Sequence, residues 1–147
     1  MLTSKKVTYT AHALPEEKLG AAEAAAHLGV EPNRVYKTIV AVRTTPGKPI
    51  LAVVPGDIEL DLKLLAKVVK EKKVKVASHT QAETLTGLQT GGISPLALIN
   101  KGFQVVLDES IRSHKKVFIS GGQRGLNIEL APKALIKLVN GRTGKIA

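Results

Sequence analysis

Lys37 is the first residue whose type and place call for a chemical explanation. It lies in Val35-Tyr36-Lys37-Thr38-Ile39-Val40-Ala41-Val42, a run that is apolar apart from Lys37 and Thr38. If the run is a strand, Val35, Lys37, Ile39 and Ala41 point one way, and Tyr36, Thr38, Val40 and Val42 the other. Either the sheet is covered on both faces or one face lines a pocket. An unpaired buried ammonium is strongly disfavoured, so Lys37 must reach water or an anion. A pocket lysine and an edge-strand lysine that blocks aggregation are both compatible with the strand alone.

Two glycine-rich segments follow. Thr90-Gly91-Gly92-Ile93-Ser94-Pro95 combines two glycines, free to take backbone conformations closed to other residues, with a proline that stiffens the exit. Such a loop can aim N–H groups of Gly91 and Gly92 at an oxyanion or a phosphate, or it can be an ordinary turn. Ser120-Gly121-Gly122-Gln123-Arg124-Gly125 reads as a hairpin turn whose arginine suits a phosphate or ribose contact.

The familiar catalytic sets are missing: there is no Gly-x-Ser-x-Gly elbow, P-loop or dinucleotide fingerprint. Cysteine is absent, which excludes disulfides, thiolate metal sites and a cysteine nucleophile. His12, His27, His79 and His114 show no zinc-type spacing, and neither metal nor cofactor is expected. His79 and His114 read as solvated, whereas His12, on the first strand, is a candidate to face a pocket. The acidic groups of Glu16-Glu17 and Asp57 to Asp61 read as loop and cap residues.

These residues need a scaffold, and the pattern supplies one. Strands are expected over 5–12, 35–42, 50–54, 74–77, 103–107, 116–119 and 126–130, with 35–42 and 50–54 forming a hairpin. Helices are expected over the alanine-rich 20–28, ended by Gly29, and from Leu62 with Asp61 as cap. A short helix should open at the capping box of Thr80 and Glu83 and end at Gly87, and a last one runs from Pro132 to Asn140-Gly141. Without β-α-β alternation, the order predicts a single α+β domain with a curved, mostly antiparallel sheet.

The chain of 147 residues is long enough for one core, and its hydrophobic fraction of 44% is that of a folded domain. Its apolar runs are strand-sized, and no apolar leader follows the first six residues, so a soluble, cytoplasmic protein without a membrane role is expected. Twenty-two Lys and Arg against 12 Asp and Glu give a net charge of +10, which points to a polyanion, with a merely solubilising surface as the alternative. Only Tyr9, Tyr36, Phe103 and Phe118 are aromatic. That is too few for a base-stacking platform, and phosphate and ribose contact on a folded RNA fits better.

The ordered set Val35-Tyr36-Lys37-Thr38, Leu60-Asp61-Leu62-Lys63, Gly91-Gly92-Ile93-Ser94-Pro95, Ser120-Gly121-Gly122-Gln123-Arg124-Gly125-Leu126 and Ile128-Glu129-Leu130 resembles the YbaK family of aminoacyl-tRNA deacylases, relatives of the editing domain of bacterial prolyl-tRNA synthetases. The resemblance implies an α+β domain around a curved, barrel-like mixed sheet flanked by helices. It also implies a trans-editing enzyme that binds the 3′ end and acceptor stem of aminoacyl-tRNA and breaks the ester. Lys37 matches the family's functional lysine, Gly91 opens the matching Gly-x-x-x-Pro loop, and Ser120 matches the serine of the second loop. Gly91 and Gly92 would then act with Lys37 in catalysis, while Leu14, Leu19, Ile93, Ser94, Ser120, Gly121, Gly122 and Arg124 would contact substrate. Cysteine on proline tRNA is the implied substrate, with prolyl-tRNA synthetase as a partner. Alanyl- or seryl-tRNA, or a non-catalytic tRNA-binding module, are the alternatives. Cysteine-clearing relatives carry aromatics near the positions of Leu14 and Leu19, so the leucines give this pocket another shape.

Overall fold

Ile50-Leu51-Ala52-Val53-Val54 is apolar on both alternating faces, which only a strand covered on both sides can satisfy. In the computed structural model, which describes residues 9–14, 21–89, 92–99, 101–123 and 125–147 (without the side chains of Ala21 and Ala22), this stretch is the middle of a five-stranded sheet. The strands are β1 (Tyr9–Ala13), β2 (Tyr36–Arg43), β3 (Ile50–Pro55), β4 (Val74–Val76), β5 (Gln104–Asp108), β6 (Val117–Ser120), β7 (Leu126–Leu130) and β8 (Arg142–Gly144). The helices are α1 (Ala21–Leu28), α2 (Leu62–Val68), α3 (His79–Thr86) and α4 (Pro132–Val139).

The larger sheet has the order β4-β2-β3-β5-β8, and the smaller one β1-β7-β6. Antiparallel pairing prevails, but β3 with β5 and β5 with β8 run parallel, so the larger sheet is mixed. Among the described residues the strands do not close into a barrel. Instead the two sheets meet at one parallel bridge, Val35 to Phe118.

Alternation along β2 and β3 follows the expected parity. Tyr36, Val40, Leu51 and Val53 enter the main core with Ile119, Ile128, Leu130 and Leu135. Ala41, Ile50, Ala52 and Val54 face a second core built with Leu65, Ala66 and Val69 of α2 and its C-cap. The sheet is therefore covered on both sides. Lys37 is not at a sheet edge either: β3 flanks β2 on one side, and β4 and β6 take the other.

Local chemistry sets the helix ends. Asp61 caps α2 by accepting from Leu64 N at 3.0 Å, and Gly29 and Gly87 end α1 and α3 with φ of +71° and +74°. The expected capping box at Thr80 is displaced: Ser78, in extended backbone, accepts from Gln81 N at 3.1 Å, and Thr80 lies within the helix. Strand β8 is absent from the sequence-based expectation, because three residues are too few to show alternation. No helix among the described residues is long and apolar enough to cross a membrane.

The start of β2 is pinned by the turn that follows β5, two strands away in the same sheet. The Tyr36 hydroxyl meets Ser110 Oγ at 2.8 Å. Burial pushes the Tyr36 phenol above its ordinary pKa, with the Ser110 bond acting in the opposite sense. Ser110 N donates to Asp108 Oδ2 at 3.2 Å, and Asp108 Oδ1 accepts from Ile146 N at 3.0 Å and Ala147 N at 3.2 Å. Replacing the buried carboxylate strands three donors. Asp108→Ala should therefore lower stability by about 2–4 kcal/mol, read as an earlier urea midpoint. A shift below about 0.5 kcal/mol would show that these bonds are replaced by water at no cost.

Candidate functional site

Strand register builds the site. His12 of β1 stands opposite Asn127 of β7, and Asn127 stands opposite Ser120 of β6. The Val35–Phe118 bridge runs parallel, so two residues further along both strands Lys37 comes level with Ser120. Residues opposite one another share a face. His12, Asn127, Ser120 and Lys37 thus form one polar row across four strands, about 14 Å from end to end at the usual strand spacing.

The neighbouring row is Thr10, Glu129, Phe118 and Val35. Phe118 and Val35 are buried against Ala24 and Ala25 of α1, and Leu14, Leu28 and Val30 pack on the same cluster. Leu14 is held beside the second glycine loop by its N–H to Gly125 O, 2.7 Å. The polar row therefore borders an apolar floor. Around Phe118, the His12 ring lies 5.5 Å away centre to centre, and the Arg34 guanidinium sits 5.3 Å from the ring centroid. His12 Nε2 is 3.0 Å from Glu129 Oε1.

Counting hydrogen bonds separates groups that build the site from groups free to act. The Lys37 ammonium is half-buried and has no hydrogen-bond or ion-pair partner among the described residues. Asn127 is only 8% exposed, yet its Oδ1 has no partner. A buried acceptor left open costs stability and commonly marks where a ligand donates. Ser120 Oγ accepts from Gly122 N at 3.3 Å.

Among the described residues the first glycine loop has one of its two expected donors engaged. Gly92 N already donates to Gln89 O at 2.8 Å, so it is not an open oxyanion donor. Ile93 belongs to the main core. Ser94, fully buried, accepts from Leu96 N at 3.1 Å and caps the 3₁₀ turn Pro95–Leu98. Gly121 N closes the hairpin onto Leu126 O at 2.9 Å. Gly92, Ile93 and Ser94 thus serve the turn and the core, whereas Gly121 also lines a cleft. Leu19, Gly91 and Arg124 lie outside the described residues.

The two loops are nonetheless in contact. Gly122 has φ +103°, and a Cβ there would lie 2.7 Å from Ala97 Cβ. Behind this contact, on the opposite face of the small sheet, is a cleft of 380 Å³ lined by Tyr9, Ala11, Leu96, Ala97, Gly121, Leu126 and Ile128. Asn127, Glu129 and Arg34 are site residues that the sequence pattern does not single out. The alternation Leu126, Ile128, Leu130 against Asn127 and Glu129 places the two polar residues on the outer face, but only the register shows that they meet His12 and Ser120.

The comparisons with known proteins cover nearly the whole chain. The family described as aminoacyl-tRNA editing domain matches residues 15–138. A protein of Enterococcus faecalis named "Putative Cys-tRNA(Pro)/Cys-tRNA(Cys) deacylase EbsC" is 40% identical over 148 residues, covering 99% of this chain and 89% of its own. The solved structure of "hypothetical protein APE2540" matches with a TM-score of 0.90 at 26% identity, covering 99% of this chain and 95% of that one. A second, titled as a putative trans-editing enzyme for prolyl tRNA synthetase, matches with a TM-score of 0.82 at 26% identity, covering 94% and 85%.

The packing of the two loops can be tested directly. Gly122→Ala adds both the left-handed strain and the clash with Ala97, and should destabilise by about 1–3 kcal/mol. Adding Ala97→Gly should relieve the clash but not the backbone strain. A double variant no more stable than Gly122→Ala would show that the loops are not packed on one another.

Proposed function

The chain belongs to the aminoacyl-tRNA editing domain family, and from that premise we propose that it removes cysteine wrongly attached to proline tRNA, acting in trans to prolyl-tRNA synthetase in the cytoplasm. The observation that carries this reading is Lys37, an unpartnered ammonium in a polar row beside an apolar floor. The relative from Enterococcus faecalis supports the substrate, and the solved trans-editing structure supports the link to prolyl-tRNA synthetase.

An aminoacyl ester is already activated, so no strong protein nucleophile is needed. The barrier is the charge that develops on the carbonyl oxygen, and a well-placed donor there is worth roughly 3–4 kcal/mol. With Gly92 N–H engaged, Lys37 is an open donor of the site among the described residues. Asn127 Oδ1 takes the substrate's α-ammonium, and the two contacts fix the ester between them. Ser120 and the loop that carries it bound the ribose side.

In the hydrolytic course, water adds to the carbonyl carbon, the carbon–oxygen bond to the ribose breaks, and the ribose oxygen leaves with a proton. With a cysteinyl substrate the thiol is placed to replace water. A carbon–sulfur bond forms, the same ester bond breaks, and the thiol proton ends on the ribose oxygen. Leu14, Val35 and Phe118 make an apolar wall for a small side chain. That wall accepts an alanyl group as well as a cysteinyl one, and it offers no partner for a seryl hydroxyl.

The test is loss of ester from tRNAs charged with labelled cysteine, alanine, serine or proline. The expected order is cysteine fastest, alanine next, and proline slowest. No acceleration on any of them contradicts the enzyme reading and leaves a tRNA-binding module. Lys37→Ala should lower kcat/KM at least tenfold. If Lys37 serves the developing oxyanion the loss is in kcat, and a loss confined to KM would move it to the terminal phosphate.

A further inference from the structure

A cluster of cationic side chains lies at one end of the larger sheet. β2 ends at Arg43, and β3, β5 and β8 all begin beside it. Side-chain hydrogen bonds tie the segments together. Arg43 Nη1 pairs with Glu71 Oε1 at 2.9 Å, and Thr45 Oγ1 reaches the same carboxylate at 3.0 Å. Arg43 Nε donates to Lys48 O at 3.0 Å, and Arg43 also bonds Gln104. The Lys48 side chain lies along Gly102, with its Cε 3.3 Å from the place of a Cβ there. Arg142 Nη1 donates to Val68 O at 3.2 Å, next to the turn after α2.

Lys48, Lys70, Lys72, Lys73, Lys101 and Arg142 are exposed at this end. Glu71, the one carboxylate in these segments among the described residues, is committed to Arg43. The opposite end is mixed: Asp57, Glu59 and Asp61 follow β3 and Glu109 follows β5, but Arg34, Lys63, Arg112 and Lys145 stand among them. A coat serving solubility alone intersperses the two signs, whereas the cationic end has no carboxylate among its described segments besides the paired Glu71.

Two further observations give the charge a direction. Helix α2 covers the face of β2 on which Lys37 lies, and it carries exposed Lys63 and Lys67 one turn apart, with Lys70 at its end. These lysines run from the cationic end toward the Lys37 end of the strand, which lies roughly 20 Å away along β2. Lys70 has φ +59°, the left-handed conformation that Gly29 and Gly87 take after α1 and α3. A lysine stands where glycine would be unstrained.

We propose that the cationic end of the larger sheet, continued by the lysines of α2, is the docking surface for the RNA phosphate backbone of the substrate. Phosphates are held at Lys70, Lys72, Lys73 and Arg142, and the line of Lys67 and Lys63 leads the 3′ terminus to the Lys37 end of β2. The field of the domain thus orients the substrate as well as attracting it. This rests on the reading of tRNA as substrate.

The experiment measures binding of uncharged tRNA against KCl concentration for the wild type, for the triple variant Lys70→Gly, Lys72→Gln, Lys73→Gln, and for a triple of equal charge elsewhere, Lys115→Gln, Lys133→Gln, Lys145→Gln. The first triple should bind at least tenfold more weakly at low salt, with a logarithmic salt slope shallower by about 0.7–0.9 for each phosphate that is no longer neutralised. Its thermal midpoint should not fall, because Lys70→Gly relieves strain. The ratio of kcat/KM on full cysteinyl-tRNA to that on a cysteinylated 3′-terminal trinucleotide, too short to reach this end, should drop at least tenfold. Equal reductions in both triples, or an unchanged slope in the first, overturn the proposal. So does loss of binding to phosphatidylserine vesicles with tRNA binding intact, which would assign the surface to a membrane. If the wild type hydrolyses neither substrate, the deacylase reading fails while the salt slopes still decide the docking surface.

Discussion

Val35 and Phe118 join the two sheets at a single parallel bridge, and the candidate site exists because of the register this bridge sets. Strand β2 is committed on both faces, to the main core through Tyr36 and Val40 and to the α2 core through Ala41. It cannot slip by one residue without exchanging those faces. With β2 fixed, and its start held by the Tyr36–Ser110–Asp108 bonds, the bridge fixes which residue of β6 lies beside Lys37. β6 and β7 then place Asn127, and β1 places His12. A shift by one residue at the bridge would set Lys37 beside a core residue and remove the row.

The rigidity of the frame explains how unspent polar groups are tolerated. Among the described residues Asn127 Oδ1 and the Lys37 ammonium have no partner, which is unfavourable for groups out of full contact with water. The strand pairings around them hold both in place at that cost. Such groups need no reorganisation when charge appears on a substrate, which is where electrostatic catalysis gains most. The glycine loops contribute in a different way. The N–H groups of Gly92, Gly121 and Gly122 close their own turns, and the packing of the loops through Gly122 and Ala97 sets the shape of the site's end.

Much of this is legible in the sequence. The parity of β2 follows from its alternation, the helix ends follow from Asp61, Gly29 and Gly87, and the antiparallel bias follows from the order of elements. Lys37 stands out because nothing else in its strand is charged before Arg43. The limits have physical causes. Asn127 looks like any outward residue of a half-buried strand until register puts it between His12 and Ser120, and pairing partners are a non-local property. Gly92 reads as an open donor because a sequence does not show that Gln89 O takes its hydrogen. Thr80 and Glu83 match a capping box, but Ser78 competes for the same helix start and takes it by lying in extended backbone. The smaller sheet's separation from the larger, and the short parallel β8, likewise depend on contacts that no local pattern encodes.

The central claim is that the row of Lys37, Ser120, Asn127 and His12 receives the aminoacyl terminus. A crystal structure with a non-hydrolysable mimic, 3′-cysteinylamino-3′-deoxyadenosine, tests it most directly. The account predicts the α-ammonium within hydrogen-bonding distance of Asn127 Oδ1, the carbonyl oxygen at Lys37 Nζ, and the side chain against Leu14 and Phe118. A mimic seated on the other face of the small sheet, in the cleft between Tyr9, Leu96 and Ile128, with Lys37 and Asn127 untouched, would contradict it.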